Sequence, residues 1–128
     1  MAGTAKILVV DDEHSVRWAF EKALQKAGYE VMLAENGIKG LKLYESFKPD
    51  IIFVDIRMPE MDGLEATRTI KSFRRELPII AVTAYALHTD EKKAREAGCD
   101  DYLTKPLSRI DLLERIQRLL GNNQVKGN

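Results

Sequence analysis

Acids, a hydroxyl and an ammonium stand along this chain at the points where apolar runs stop. Asp11 and Asp12 follow the run 7–10, Asp55 follows 51–54, and Thr83 with Ala84 follows 79–82. Farther on come Tyr102 and then Lys105 with Pro106 behind it. A carboxylate can act as a covalent nucleophile toward phosphorus, forming an acyl phosphate. Such transfer is catalysed mainly by positioning and by electrostatic stabilisation of a heavily charged group. Mg2+ suits that task, because it takes a few carboxylates, waters and phosphate oxygens in octahedral geometry. A lysine offers a cation to one phosphoryl oxygen, and a threonine hydroxyl donates to another. The set points to a metal-assisted, phosphorylatable aspartate, with Asp55 as acceptor and Asp11 and Asp12 beside the metal.

These residues must be brought together by the elements that carry them. The runs 7–10, 51–54 and 79–82 are continuous and rich in Val and Ile, as in strands covered on both faces. The segments 30–34 and 101–103 are more mixed and read as edge strands. Between them lie helical patterns. The first carries Val16, Ala19, Phe20, Ala23, Leu24 and Ala27, stopped by Gly28. Others cover about 37–47, ending before Pro49, then 64–73, 89–97 closed by Gly98, and 110–120 followed by Gly121. Strand–helix alternation five times over predicts an α/β fold, one doubly wound parallel five-stranded sheet with right-handed crossovers and helices on both faces. In such sheets ligands gather outside the carboxyl ends of the strands. Those ends are where Asp11, Asp12, Asp55 and Thr83 stand.

At 128 residues the chain is expected to be one domain, with a core from about 6 to 120 and a frayed polar tail over 121–128. That length leaves no room for an attached effector, so output is expected from the domain's own surface. Acidic and basic residues number 20 each, which gives no basic footprint for nucleic acid and no polybasic membrane surface. The single cysteine, Cys99, excludes an internal disulfide and fits a reducing compartment. The start lacks the charged region of a secretory signal, and no apolar run approaches a membrane span. A soluble cytoplasmic domain is expected.

Four stretches carry a family resemblance: Ile-Leu-Val-Val-Asp-Asp-Glu (7–13), Asp-Ile-Arg-Met-Pro-Glu-Met-Asp-Gly (55–63), Ala-Val-Thr-Ala (81–84) and Gly-Cys-Asp-Asp-Tyr-Leu-Thr-Lys-Pro (98–106). In this order and spacing the chain resembles a receiver domain of two-component response regulators, from Lys6 to about Leu120. The resemblance implies the flavodoxin-like strand order 2-1-3-4-5. It implies that Asp55 is the phosphoacceptor and that Asp12 ligates Mg2+ directly. Asp11 would act mostly through a bound water, and the Arg57 backbone carbonyl would complete the protein's share of the ligands. Thr83, Ala84 and Lys105 would bind the phosphoryl group, and the Lys105–Pro106 peptide would be cis, essentially a proline option. Thr83 and Tyr102 would form the switch that alters the surface of the fourth helix, fifth strand and fifth helix. The implied partners are a histidine kinase or histidine phosphotransfer protein as donor and a downstream protein target. The implied oligomeric state is a monomer or a weak phosphorylation-dependent dimer. Trp18, Pro106 and Leu107 would lie near the docking surface for the donor's helical bundle.

Simpler roles stand beside these. Asp11 or Asp12 would serve to cap the first helix. One carboxylate suffices for that, and two with Glu13 behind them repel one another in a way that a cation relieves. Asp55 alone would pass for a turn residue, Lys105 for a solvated lysine, and Thr83 and Tyr102 for ordinary strand residues. His14 and His88 belong to no catalytic cluster, and Cys99 reads as a small buried filler. Trp18 falls off the apolar stripe, about half a turn from Phe20 at ~100° per residue. It is either a partner anchor or is packed across charged stems.

Three functions compete. The first is a phosphoacceptor signalling domain that catalyses only its own phosphoryl transfer and dephosphorylation. The second is an aspartate-based phosphatase, which would place a second Asp two residues after its nucleophile as general acid. Arg57 stands there and does not give up a proton at neutral pH. The third is a degenerate, binding-only receiver. Such domains usually lose an acid or the lysine, and this chain keeps them all. A nucleotide site is excluded more simply, since no Gly-rich loop follows the first strand. The stretches 84–87 and 98–101 resemble receivers of hybrid kinases and relay proteins. Arg57 and Tyr85 should govern water access to the phosphoryl group. Substituting either is expected to change the acyl phosphate lifetime more than the melting temperature, read from decay of the phosphorylated protein.

Overall fold

The computed structural model describes residues 5–57, 63–84 and 88–127. Strands and helices alternate as β1 (Lys6–Val10), α1 (His14–Lys26), β2 (Glu30–Ala34), α2 (Gly37–Phe47), β3 (Ile51–Asp55), α3 (Gly63–Phe73), β4 (Ile79–Thr83), α4 (His88–Ala97), β5 (Asp101–Thr104) and α5 (Arg109–Gly127). Every strand pairing is parallel, and the order is β2-β1-β3-β4-β5. This is the doubly wound sheet that the alternation predicts.

The continuous apolar runs have a direct cause. Successive strand residues point to opposite faces, and here both faces are covered. Ile7, Val9, Ile51, Phe53, Ile80 and Val82 pack with Phe20 and Leu24 of α1 and with Leu112, Ile116 and Leu120 of α5. Leu8, Val10, Ile52, Val54, Ile79 and Ala81 pack on the other face with Phe47, Ile70 and Ala94 of α2, α3 and α4. The rings of Phe20 and Phe53 meet at 5.2 Å between centroids, tilted by 51°. Each such buried side chain contributes about 1.5–3 kcal/mol. The mixed strands β2 and β5 lie at the edges and are partly exposed.

Helix ends follow the local chemistry with two exceptions. Gly28 and Gly98 take left-handed geometry, φ 95° and 109°, just after α1 and α4. Asn36 caps α2 by accepting from the Lys39 N–H. The N-cap of α1, however, is Glu13 with no side-chain capping bond, so neither Asp11 nor Asp12 caps it. And α5 continues to Gly127 where an end near Leu120 was expected. Extending a formed helix is far easier than nucleating one, and 121–127 contains no proline to stop it. Among the described residues no helix is long and apolar enough to cross a membrane.

A close approach ties α3 to the site. A Cβ added at Gly63 would lie 2.2 Å from the Asp55 carbonyl oxygen. The first turn of α3 therefore rests on the backbone that carries Asp55, and a side chain there must push one of them away. Gly63→Ala is expected to destabilise the fold by about 1–3 kcal/mol, measured by denaturant unfolding. Unchanged stability would mean that α3 yields without strain.

Candidate functional site

Because β1 lies beside β3 and β3 beside β4, Asp11, Asp55 and Thr83 leave the same edge of the sheet. The chain turns away to β2 on one side of β1 and to β3 on the other, which opens a crevice at the strand ends. Backbone bonds pin the rim: Asp11 N–H donates to the Ala34 carbonyl at 3.0 Å, and Lys105 N–H to the Thr83 carbonyl at 2.7 Å. The Lys105–Pro106 peptide is cis.

Lys105 Nζ stands at the centre. It lies 2.9 Å from Asp11 Oδ2, 3.1 Å from Glu13 Oε1 and 3.2 Å from Asp55 Oδ2. The other oxygens of the two aspartates accept backbone N–H groups, Asp11 Oδ1 from Glu13 and Asp55 Oδ1 from Arg57, each at 2.9 Å. Asp11 is 1% and Asp55 5% exposed, while Asp12 and Glu13 face solvent. Carboxylate oxygens of Asp11, Asp12, Glu13 and Asp55 all fall within 4.8 Å of one another, a spacing that can hold a metal ion. Hard oxygen donors of this kind suit Mg2+. Thr83 is fully buried at the end of β4, and Ala84 beside it is exposed.

Other sequence candidates fall at varying distance from this cluster. Tyr102 is half-buried against the α2–α3–α4 face of the core. Pro106 and Leu107 line a groove of about 660 Å³ with Val16, Ala19, Phe20 and Leu112, and that groove reaches Lys105. Trp18 is 56% exposed and is not in its lining; Lys22 Nζ sits 5.8 Å from its ring centroid. Both readings of Trp18 thus keep an observation. Burial pushes the Cys99 thiol up to about 11, as suits an inert filler. Tyr85, and the part of the 55–63 motif from Met58 to Asp62, lie outside the described residues.

Two contacts were not legible in the sequence. Glu13 is a third partner of Lys105. The Arg57 guanidinium is engaged by Asp90 in the first turn of α4, at 2.7 Å from Oδ2. Asp90 gave only the general signal of an acid near a helix start.

Known proteins share this chain's sequence pattern and fold. A family model described as the response regulator receiver domain matches residues 7–117. The chain belongs to the receiver domain family. The polar-differentiation response regulator DivK of Brucella anthropi is 36% identical over 91% of this chain and 96% of its own length. The response regulator MprA of a Mycobacterium species is 40% identical over 90% of this chain. The receiver spans only about half the length of MprA, 50% of it in that case. Among solved structures, a CheY-like receiver from Methanospirillum hungatei has a TM-score of 0.91 at 31% identity, over 97% of this chain and 99% of that one. The receiver domain of the Pseudomonas aeruginosa sensor histidine kinase PA1611, with magnesium coordinated in its active-site cleft, has a TM-score of 0.86 at 38% identity, over 93% and 99%.

In this receiver the electrostatics of the cluster are strained in one direction. Burial raises the carboxyls of Asp11 and Asp55 above the usual range, against the pull of the Glu13 and Arg57 N–H groups and of Lys105. For Lys105, burial works downward, but bonds to Asp11 and Glu13 and the charges of Asp11 and Asp55 outweigh it and raise the ammonium. The signs differ. Each raised carboxyl favours the fold when protonated, and that contribution is lost as pH rises through its folded value. Lys105, raised above its ordinary 10.5, gives its full stabilisation below that pH and loses it as pH climbs through the higher folded value. Lys105→Met is expected to cost about 2 kcal/mol at neutral pH, less than the ~3–5 of a wholly buried pair because Asp12 and Glu13 admit water. Adding Asp11→Asn should recover part of it. Denaturant unfolding of the two variants from neutral to alkaline pH checks both statements.

Proposed function

We propose that this receiver accepts a phosphoryl group on Asp55 from a phosphohistidine of a histidine kinase or histidine phosphotransfer protein, and uses it to switch partners at its α4–β5–α5 surface. The observation that carries this is the Lys105 ammonium 3.2 Å from Asp55 Oδ2 and 2.9 Å from Asp11 Oδ2. A cation so placed is ready for the oxygens of a group arriving on Asp55. In the transfer an Asp55 oxygen attacks phosphorus, a P–O bond forms and the P–N bond to imidazole breaks. The imidazole nitrogen keeps the electron pair and takes up a proton.

Asp11, Asp12 and Asp55, with the Arg57 carbonyl, would hold Mg2+, which neutralises phosphoryl charge when bound. Lys105 would meet one phosphoryl oxygen, and the Thr83 hydroxyl and Ala84 N–H would donate to others. In this reading the Thr83 hydroxyl moves toward that group and Tyr102, packed against the α2–α3–α4 face of the core, changes place in response. The groove beside Lys105, floored by Val16, Phe20 and Leu112, fits an amphipathic helix bearing the donor histidine. Arg57 in the place of a general acid counts against turnover of outside phosphoesters.

Incubation with Mg2+ and acetyl phosphate is expected to add one base-labile phosphoryl group, seen by intact mass spectrometry and missing from Asp55→Asn. An adduct on both proteins would move the acceptor elsewhere. No adduct on the parent at any time point after rapid quenching would favour a binding-only module. Mg2+ at about a hundredfold over its Kd should stabilise the parent by about 2.7 kcal/mol. Asp12→Asn, at an exposed position, should remove most of that gain while leaving metal-free stability nearly unchanged.

A further inference from the structure

Arg57 bonds in two directions. Its backbone N–H donates to Asp55 Oδ1 at 2.9 Å. Its guanidinium reaches α4, with Nε 3.0 Å from Asp90 Oδ2, and Nη2 2.9 Å from Oδ1 and 2.7 Å from Oδ2. Asp90 is only 6% exposed, whereas the Arg57 side chain is nearly half exposed. A buried carboxylate left without its cation is strongly penalised, so α4 in this placement demands that Arg57 stay with it. A two-pronged guanidinium–carboxylate pair also fixes orientation, which a lysine would not. Tyr102 stands within the field of the same pair: its phenol is pushed up by burial, then by the charges of Asp90 and Glu91, against Arg57.

We propose that Asp90 is a positioning residue for the phosphoryl chemistry, holding the Arg57 side chain on α4 and thereby the backbone that orients Asp55, so that acyl phosphate lifetime is coupled to the placement of α4. It rests on Asp55 being the acceptor. The same residue whose main chain steadies the acceptor has its side chain committed to the first turn of a helix on the output face. Displacement of α4 then loosens the Arg57 N–H bond to Asp55. A partner that holds α4 still lengthens or shortens the phosphorylated state without touching it.

The test uses Asp90→Asn, Asp90→Glu, Arg57→Gln and the double variant Arg57→Gln/Asp90→Asn. The first readout is amide hydrogen exchange at residue 57 with no phosphodonor present. Asp90→Asn is expected to speed it at least tenfold, and Asp90→Glu to restore it toward the parent. The second is first-order loss of the phosphoryl group at saturating Mg2+. Asp90→Asn and Arg57→Gln should each change the rate at least threefold in the same direction, and the double variant no more than either alone, the mark of residues acting as a unit. Parental exchange and decay in a folded Asp90→Asn would overturn the proposal, as would additive rate effects in the double variant. A parent that never takes a phosphoryl group would overturn the acceptor role of Asp55 and the lifetime coupling with it. Faster exchange at residue 57 in Asp90→Asn would still support the positioning of Asp55 by Asp90.

Discussion

The ammonium of Lys105 stands between two carboxylates that the core has almost stripped of water. Bringing Asp11 and Asp55 so close at so little exposure is unfavourable by desolvation and by repulsion, and the cation offsets both. Lys105 is 50 residues from Asp55 along the chain and follows β5, two strands away from β3. Its approach requires β5 paired to β4, β4 to β3 and β3 to β1. The cluster is therefore a property of the complete fold, and no segment of the chain contains it.

Among the described residues, the Lys105 ammonium is the one cation in an ion pair with the four carboxylates of the cluster, and it meets three of them. A metal ion bound there would relieve the repulsion among Asp11, Asp12, Glu13 and Asp55. The arrangement is also asymmetric. Toward α1 it opens on a largely apolar groove that reaches Lys105. Toward α4 lies the Arg57–Asp90 pair. In the proposed function, entry of the phosphoryl group and its consequence for the surface would fall on different sides of one crevice.

Much of this was legible because it depends on short-range pattern. Runs of Val and Ile declared the buried strands, and glycines after Ala27 and Ala97 marked helix ends that the structure places there. The acids and the threonine were found because strand ends in a parallel sheet share one edge. The end of α5 at Gly127 is not legible in the sequence, because Gly121 is a weak stop when the helix behind it is already formed. The capping role weighed for Asp11 and Asp12 fell to neither, since Glu13 occupies the N-cap.

Arg57 shows where sequence reasoning runs out. Its position two residues after Asp55 marked it as a neighbour of the chemistry, but its side chain is spent on Asp90, 33 residues away. Gly63 is similar: nothing in its surroundings along the chain announces a Cβ that would strike the Asp55 carbonyl. By itself the sequence determined the alternation of strand and helix, the faces that must be buried and the residue types delivered to each strand end, because periodicity and residue chemistry are local. The tertiary structure decided which charges meet, at what distance and how far from water, because Coulomb and desolvation energies depend on where distant parts of the chain come to rest.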